Sequence, residues 1–136
     1  MLTLMSQTYL ILDTRRLLDS SEVGKSAAKK LEQKFVDGKS RFEEMLQRAK
    51  RATGLEQKKL QQEAKRFETE SLQALEQDRS KLRQSLMERA APVLERLSAE
   101  RGASLVLDRS AVVFFQAELD VTDIVMQEID AAGPLS

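Results

Sequence analysis

The stretch AKKLEQKFVDGKSRFEEMLQRAKRATG, residues 28–54, decides the fold of this chain. Small or apolar residues recur in it at alternating spacings of three and four, which is the period of a coiled-coil seam. They are Ala28, Leu31, Phe35, Gly38, Phe42, Met45, Ala49 and Ala52. The stretch ends at Thr53-Gly54, where glycine can adopt the left-handed conformation that ends one helix and turns the chain. The pattern predicts a helix that begins near Asp19 and ends at this turn.

A second, longer helix is predicted from about Leu55 to Arg101, with Gly102 as its C-terminal cap. Its small and apolar residues form two neighbouring stripes. The first stripe consists of Leu60, Ala64, Phe67, Ser71 and Ala74, and the second of Leu72, Leu75, Leu82, Leu86, Ala90, Val93 and Leu97. Pro92 is expected to kink this helix or to start a separate segment, because proline lacks the amide hydrogen. Together the two helices predict a long antiparallel coiled-coil hairpin with its tip at residues 53–54.

Short strands are predicted at both ends of the chain. Three apolar runs have strand length, at residues 8–13, 103–108 and 111–116. Each run is apolar on both faces, so each should be covered on both faces. A last short helix is predicted over residues 121–130, with Asp120 as its N-cap. The fold class is therefore mainly α with a small β base.

This base is expected to be completed by other subunits. Three short strands and a hairpin give no enclosed core in a single chain, and so small a sheet is unstable alone. We predict an obligate oligomer whose strands join in one sheet or barrel shared between subunits. Residues 8–20 and 91–136 would form this oligomerisation body, and residues 21–90 the arm. The side chains expected at the interface are Tyr9, Ile11, Leu105, Leu107, Val113 and Phe115.

The zero net charge of the chain hides a gradient along it. Residues 47–66 carry seven basic and two acidic groups, whereas residues 95–136 carry three basic and eight acidic groups. The basic tip consists of Arg48, Lys50, Arg51, Lys58, Lys59, Lys65 and Arg66. These charges either keep long helices soluble or attract an anionic partner, such as an acidic protein or a membrane surface. Nucleic acid is disfavoured, because no aromatic residues alternate with the lysines to stack on bases.

Composition excludes several kinds of chemistry. The chain has no Cys and no His, which excludes zinc sites built on them, disulfides and histidine-based catalysis. Asp13, Asp108 and Asp120 lie near element ends, where caps and turns favour aspartate, so we predict no enzyme and no cofactor. No apolar run is long enough to span a membrane. Residues 1–7 are interpreted as an N-terminal extension. They lack the features of a signal peptide, so either the protein stays where it is made or a signal was replaced by a start codon.

The order of these pieces resembles the Skp (OmpH-like) family of periplasmic chaperones, from about Thr8 to Asp130. The N-terminal segments that are similar to the family are Tyr9–Asp13, Arg16–Leu18 and Val23–Glu32. The C-terminal ones are Ala91–Leu94, Gly102–Asp108, Ala111–Val113 and Asp120–Val125. The resemblance implies a homotrimer in which strands of three subunits form a barrel and three hairpins surround a cavity. It also implies a periplasmic protein that holds unfolded outer-membrane proteins without ATP.

A chaperone of this kind needs adaptable apolar surfaces rather than one deep pocket. Small residues beside single Phe and Met residues make the seam loosely packed, and methionine suits promiscuous contacts. The residues predicted to contact client chains are Phe42, Met45, Phe67 and Met87. The alternative for Phe42 and Met45 is that they simply face the partner helix.

Three other functions compete with this interpretation. A structural or adaptor coiled coil without clients has the same periodicity. A prefoldin-like holding protein also hangs helical arms from a β base, but its strands lie between the two helices rather than outside them. A nucleic-acid-binding protein is disfavoured by the zero net charge.

Overall fold

The computed structural model describes residues 9–135 and is mainly helical with one small sheet. The elements are β1 (Tyr9–Leu12), α1 (Thr14–Ser20), α2 (Glu22–Arg51), α3 (Gly54–Arg101), β2 (Leu105–Asp108) and α4 (Thr122–Ala131). Short 3-10 turns lie at Arg109–Ala111 and Ala117–Leu119. The predicted fold class is confirmed, whereas the N-terminal extension of residues 1–7 lies outside the described residues.

The helical hairpin turns where the sequence predicts. Helix α2 ends at Arg51, and Gly54 opens α3 with a φ of 62°, a conformation that favours glycine. The Ala49 carbonyl near the end of α2 accepts from both the Ala52 amide and the Gln57 side chain, each over 3.2 Å. The turn is therefore specified by one backbone conformation and one side-chain cap.

Helix α3 runs through Pro92 without ending, which excludes the second of the two predicted outcomes, a separate segment. The missing amide of Pro92 removes one intrahelical hydrogen bond. Buried residues lie on both sides of the proline along the helix, namely Ala90 at 0% and Leu97 at 4% exposure. Gly102 has a φ of 69° and the Ala103 amide donates to the Ser98 carbonyl over 2.9 Å, which confirms the predicted C-terminal cap.

Strands β1 and β2 pair in parallel, with Tyr9 opposite Leu105 and Leu12 opposite Asp108. The third predicted strand, residues 111–116, is wrong. Its residues follow β2 after a 3-10 turn and do not fold back onto the sheet, so they find no pairing partner among residues 9–135. The backbone is nevertheless extended at Val112, with φ −124° and ψ 124°.

The described chain divides into two compact units. Residues up to Ala27 and from Leu82 form one, the body unit, and Ala28–Lys81 form the other, the arm unit. The body unit has an aliphatic core within a single chain, which corrects the expectation that none would form. Its buried side chains are Leu10, Leu12, Leu17, Val23, Leu86, Ala90, Leu97, Val121, Val125 and Ile129. The division into residues 8–20, 21–90 and 91–136 stays a prediction.

The core closes because of α1 and α4. Helix α1 was not expected, and it places Leu17 in the core after an Asp13 N-cap that accepts from the Arg16 amide over 3.0 Å. Helix α4 starts one residue later than predicted, at Thr122, so its N-cap is Val121 rather than the predicted Asp120, whose carboxylate accepts from the Thr122 amide over 2.9 Å. Asp130 of α4 in turn accepts from the Glu22 and Val23 amides at the start of α2, both over 3.1 Å. The amides in the first helical turn of α2 therefore bond to a residue more than a hundred positions away in the sequence.

Candidate functional site

The coiled-coil seam of the arm unit is closed near the turn and open in its middle. Ala49 and Ala64 are 2% and 0% exposed, so the two helix backbones approach closely there. Further from the turn, a groove of about 630 Å³ separates α2 from α3. This seam groove is lined chiefly by Phe35, Gly38, Phe42, Phe67, Leu72 and Leu75.

Three of the residues that line the seam groove are small. A methyl group placed on Gly38 would meet no atom within 4 Å, and Ser71 and Ala74 stand among the lining residues on α3. Protein interiors are normally packed without voids of this size. The large side chains at its margins are left partly in solvent, with Phe35 47% and Leu72 54% exposed. The arm therefore presents apolar surface that its own seam does not fill.

Two polar contacts join the helices beside the seam groove. The Lys34 ammonium lies 3.4 Å from the Asp78 carboxylate, and the Arg41 guanidinium lies 5.3 Å from the centre of the Phe67 ring. Exposed ion pairs contribute about 0–1 kcal/mol, and cation–π contacts at exposed sites about 0.5–1 kcal/mol. Such contacts therefore add little to the stability of the helix pair.

The four residues predicted to contact clients do not form one cluster. Phe42 and Phe67 both line the seam groove. Met45 belongs to the same seam and is half-buried, but it is not among the residues that line the seam groove. Met87 belongs to the body unit, is 38% exposed and borders a smaller pocket of about 360 Å³ together with Leu17 and Leu86. Their role in client binding stays a prediction.

Phe35 and Leu72 are apolar groove residues that the prediction of contact sites missed. Both belong to the seam stripes found in the sequence, so the periodicity pointed to them. Their exposure depends on the gap that Gly38 opens, and periodicity alone does not distinguish a filled seam from an open one.

The basic tip consists of exposed side chains on both sides of the turn. Arg48, Lys50 and Arg51 occupy the last turn of α2, where positive charge complements the helix dipole. Lys65 also lies 3.7 Å from Glu68 one helical turn away. Part of the tip charge therefore has a structural use, and all seven groups remain accessible to an anionic partner.

The residues predicted at the oligomer interface differ widely in exposure. Ile11 is fully buried inside its own chain, and its carbonyl accepts from the Val121 amide over 2.9 Å. Tyr9, Leu107 and Phe115 are half-buried, and Phe115 lies beneath the Arg109 guanidinium at 5.2 Å. Leu105 is 47% exposed and Val113 is fully exposed. Phe114, which the prediction omitted, is 81% exposed.

Three aspartates near element ends accept hydrogen bonds from groups at the starts of helices. Asp13 and Asp120 accept helix N-terminal amides, and Asp108 accepts from the Thr14 amide and hydroxyl over 3.0 and 2.8 Å. Within residues 9–135, no group of three or more acidic side chains is arranged to hold a metal ion. Among residues 9–135, no helix is both long enough and apolar enough to cross a membrane.

We expect the stability of the body unit to fall at acidic pH, because the pKa of Asp108 is lowered. The hydrogen bond from Ser110, followed by the one from the Thr14 amide, lowers the pKa of Asp108 to about 2. Because the folded pKa lies below the unfolded one, this stabilisation is complete above about pH 5 and is lost as the pH falls towards 2. Asp108→Asn should lower the free energy of unfolding by about 1 kcal/mol at pH 7, with a smaller difference at pH 3.

Urea unfolding followed by circular dichroism at the two pH values measures this difference. The matched control is Asp37→Asn, at an exposed position of α2, which should change the free energy of unfolding by less than about 0.5 kcal/mol. Equal losses for Asp108→Asn at pH 3 and pH 7 would show that the carboxylate charge is not responsible.

Comparison with known proteins gives one family and one fold. The family model described as "Outer membrane protein (OmpH-like)" matches residues 8–129. A solved structure from Caulobacter crescentus, described as a candidate outer membrane chaperone (OmpH-like), is similar with a TM-score of 0.58. The two chains are 17% identical, and the match covers 94% of this chain and 87% of that one. At this identity the likeness concerns the fold alone. No curated protein matches the chain significantly.

Proposed function

The chain belongs to the OmpH-like family, and on this premise we propose that it is an ATP-independent holding chaperone for unfolded outer-membrane proteins. The observation that carries the proposal is the open middle of the arm seam. An unfolded chain exposes apolar side chains, and the seam groove offers about 630 Å³ of partly apolar space for them. The similar Caulobacter crescentus protein, described as a candidate outer membrane chaperone, supports the same role. The proposed compartment is the periplasm.

Self-association is part of this proposal. Leu105, Val113 and Phe114 leave large apolar surfaces in solvent, and residues 112–116 have no pairing strand within residues 9–135. The Val112 amide and the Gln116 carbonyl bond to neighbouring turns, and an extended segment between them that pairs with no strand is a template for pairing with another chain. We therefore assign the β region to the assembly of a homotrimer, in which several arms surround one client. Weak contacts from several arms would then add by avidity.

Suppression of aggregation tests the proposed function. An outer-membrane β-barrel protein is diluted from urea into buffer, with and without this protein, and light scattering is followed. The proposal predicts that scattering falls to near the baseline at one trimer per client, without ATP. If scattering is unaffected, the protein is a structural coiled coil rather than a holding chaperone.

The basic tip is proposed to accelerate encounters with acidic clients or anionic membrane surfaces. Replacing Lys50, Arg51, Lys58 and Lys59 with glutamine should slow capture of an acidic client about tenfold at low ionic strength. The difference should disappear at high salt, because surface charges are screened there. Stopped-flow fluorescence of a labelled client measures the capture rate.

The control for this variant removes the same number of charges away from the tip. Its four exposed positions are Lys29, Lys30, Arg79 and Lys81, each replaced by glutamine. We expect the capture rate of this control variant to stay within twofold of that of the unchanged protein. Identical rates for the tip variant and the control at low salt would remove the tip from the mechanism.

A further inference from the structure

The seam groove has the length of a short extended peptide. Its lining residues span positions 34–46 on α2 and 67–78 on α3. At 1.5 Å per helical residue these spans are roughly 16–18 Å long. An extended strand advances about 3.3 Å per residue, so five or six residues fill this length. Alternate side chains of such a strand lie on one face, so about three of them can enter the groove together.

The floor of the seam groove suits large apolar side chains. Phe42 and Phe67 line it, and Leu75 extends the apolar surface along α3. Its volume of about 630 Å³ lies within the range of roughly 300–1,000 Å³ that is typical of ligand sites. No atom lies within 4 Å of the position that a Cβ atom on Gly38 would take. An occupant can therefore approach the α2 backbone there.

The rim of the seam groove carries charges of both signs. Lys34 of α2 and Asp78 of α3 form an ion pair there, and Lys39, Glu43 and Glu68 add further charges of both signs. A uniformly charged partner, such as nucleic acid or an acidic tail, would meet repulsion from one set of these groups. A segment with polar side chains of mixed sign would find an opposite charge for either. The complementary partner is therefore a nearly neutral segment with apolar and polar residues in alternation.

We propose that the seam groove binds one extended segment of five or six residues whose alternate side chains are apolar. Its apolar face packs on Phe42, Phe67 and Leu75, and its polar face meets the charged rim. Transmembrane β-strands have this alternation, with one lipid-facing and one polar face. The inference rests on the proposed function, because it identifies which part of an unfolded barrel protein a single arm holds.

Gly38→Leu tests this inference, because the new side chain enters the groove. Leucine favours helix far more than glycine, so the hairpin should remain folded. The matched control is Ser40→Leu, which adds the same side chain at an exposed position of the same helix. Gly38→Ala, with its smaller side chain, serves as a second groove variant. Circular dichroism verifies the helix content of all three.

The probe is a synthetic hexapeptide with Leu, Trp and Val at alternate positions and Lys, Glu and Thr between them. The protein contains no Trp, so tryptophan fluorescence reports only the peptide. We expect saturable binding to the unchanged protein, at least tenfold weaker binding to Gly38→Leu, and an intermediate loss for Gly38→Ala. Ser40→Leu should bind within twofold of the unchanged protein. A peptide of the same composition with its three apolar residues adjacent should bind less tightly.

Several results would overturn the inference. They are absence of saturable binding to the unchanged protein, equal binding to Gly38→Leu, or an equal loss in Ser40→Leu. A change in oligomer mass caused by Gly38→Leu, without a change in peptide binding, would assign the groove to a second copy of the chain instead. The aggregation assay separates the two proposals: if Gly38→Leu fails to weaken peptide binding while the unchanged protein suppresses aggregation, only the groove assignment falls.

Discussion

Replacing Gly24 with alanine is expected to lower the thermal unfolding midpoint by roughly 6–10 °C. Gly24 is buried in the first turn of α2, and a methyl group there would lie 2.0 Å from the Leu18 carbonyl oxygen and 2.8 Å from the Ser21 hydroxyl. The nearest atom belongs to the backbone of α1, so no side-chain rotation relieves the clash. The two helices must move apart, which also disturbs Leu17 and Val23 in the core of the body unit.

The size of this effect follows from two opposing contributions. Overpacking against a rigid neighbour costs about 3 kcal/mol or more, and the higher helix propensity of alanine returns about 1 kcal/mol. In a chain of this length each kcal/mol shifts the midpoint by roughly 3–5 °C. Thermal unfolding followed by circular dichroism, at one fixed protein concentration, measures the shift.

Gly38→Ala is the matched control, because it makes the same change in the same helix. No atom lies within 4 Å of a methyl group at Gly38. The higher helix propensity should therefore raise stability slightly, by up to about 1 kcal/mol. The two glycines of α2 are thus expected to respond with opposite signs. A Gly24→Ala protein whose midpoint stays within 2 °C of the original would contradict the close approach of α1 and α2.

Replacing Leu17 with alanine should lower the free energy of unfolding by about 2–5 kcal/mol. Leu17 is 0% exposed and packs in the core of the body unit, so truncation leaves a cavity between elements from both ends of the chain. Alanine keeps the helix propensity of α1, so the loss reports packing. Urea unfolding of the variant and the unchanged protein at equal concentration measures it.

Leu55→Ala supplies the control for this prediction. Leu55 also lies in a helix, but it is 85% exposed beside the turn of the hairpin. Its truncation should change stability by less than about 0.5 kcal/mol. Similar small effects at both positions would mean that the single chain does not enclose the core described here.

The hairpin could be predicted because its signals are local and repeated. The seam residues recur over the whole of α2, and Gly54 marks the turn with a conformation that other residues avoid. The two apolar runs at opposite ends of the chain predicted strands β1 and β2, whereas their pairing within one chain and its parallel direction were not predicted.

The body-unit core could not be predicted because it depends on distant partners. Helix α1 has seven residues, too few to show a periodic pattern, and it is fixed by Asp108 from beyond the hairpin. The cap of α2 by Asp130 has no local signal at all. Residues 111–116 have strand composition without a strand partner in the same chain, because composition reports a preference for extended backbone rather than the presence of a neighbour.

The seam groove lies between these two cases. The small residues Gly38, Ser71 and Ala74 indicated loose packing, and that indication is consistent with the gap between α2 and α3. The gap itself, and the exposure of Phe35 and Leu72 beside it, depend on the register between the helices. Register is set by the turn and by packing over the whole seam, which single-helix periodicity does not contain.

The central claim is that copies of this chain assemble and hold an unfolded outer-membrane protein. Light scattering coupled to size-exclusion chromatography tests it most directly, with the protein alone and after mixing with a urea-unfolded barrel protein. For the protein alone, we expect the mass of three chains of 15.4 kDa each. After mixing, the mass of the complex should increase by that of one client. A folded monomer, or a trimer whose mass never increases while the client precipitates, would contradict it.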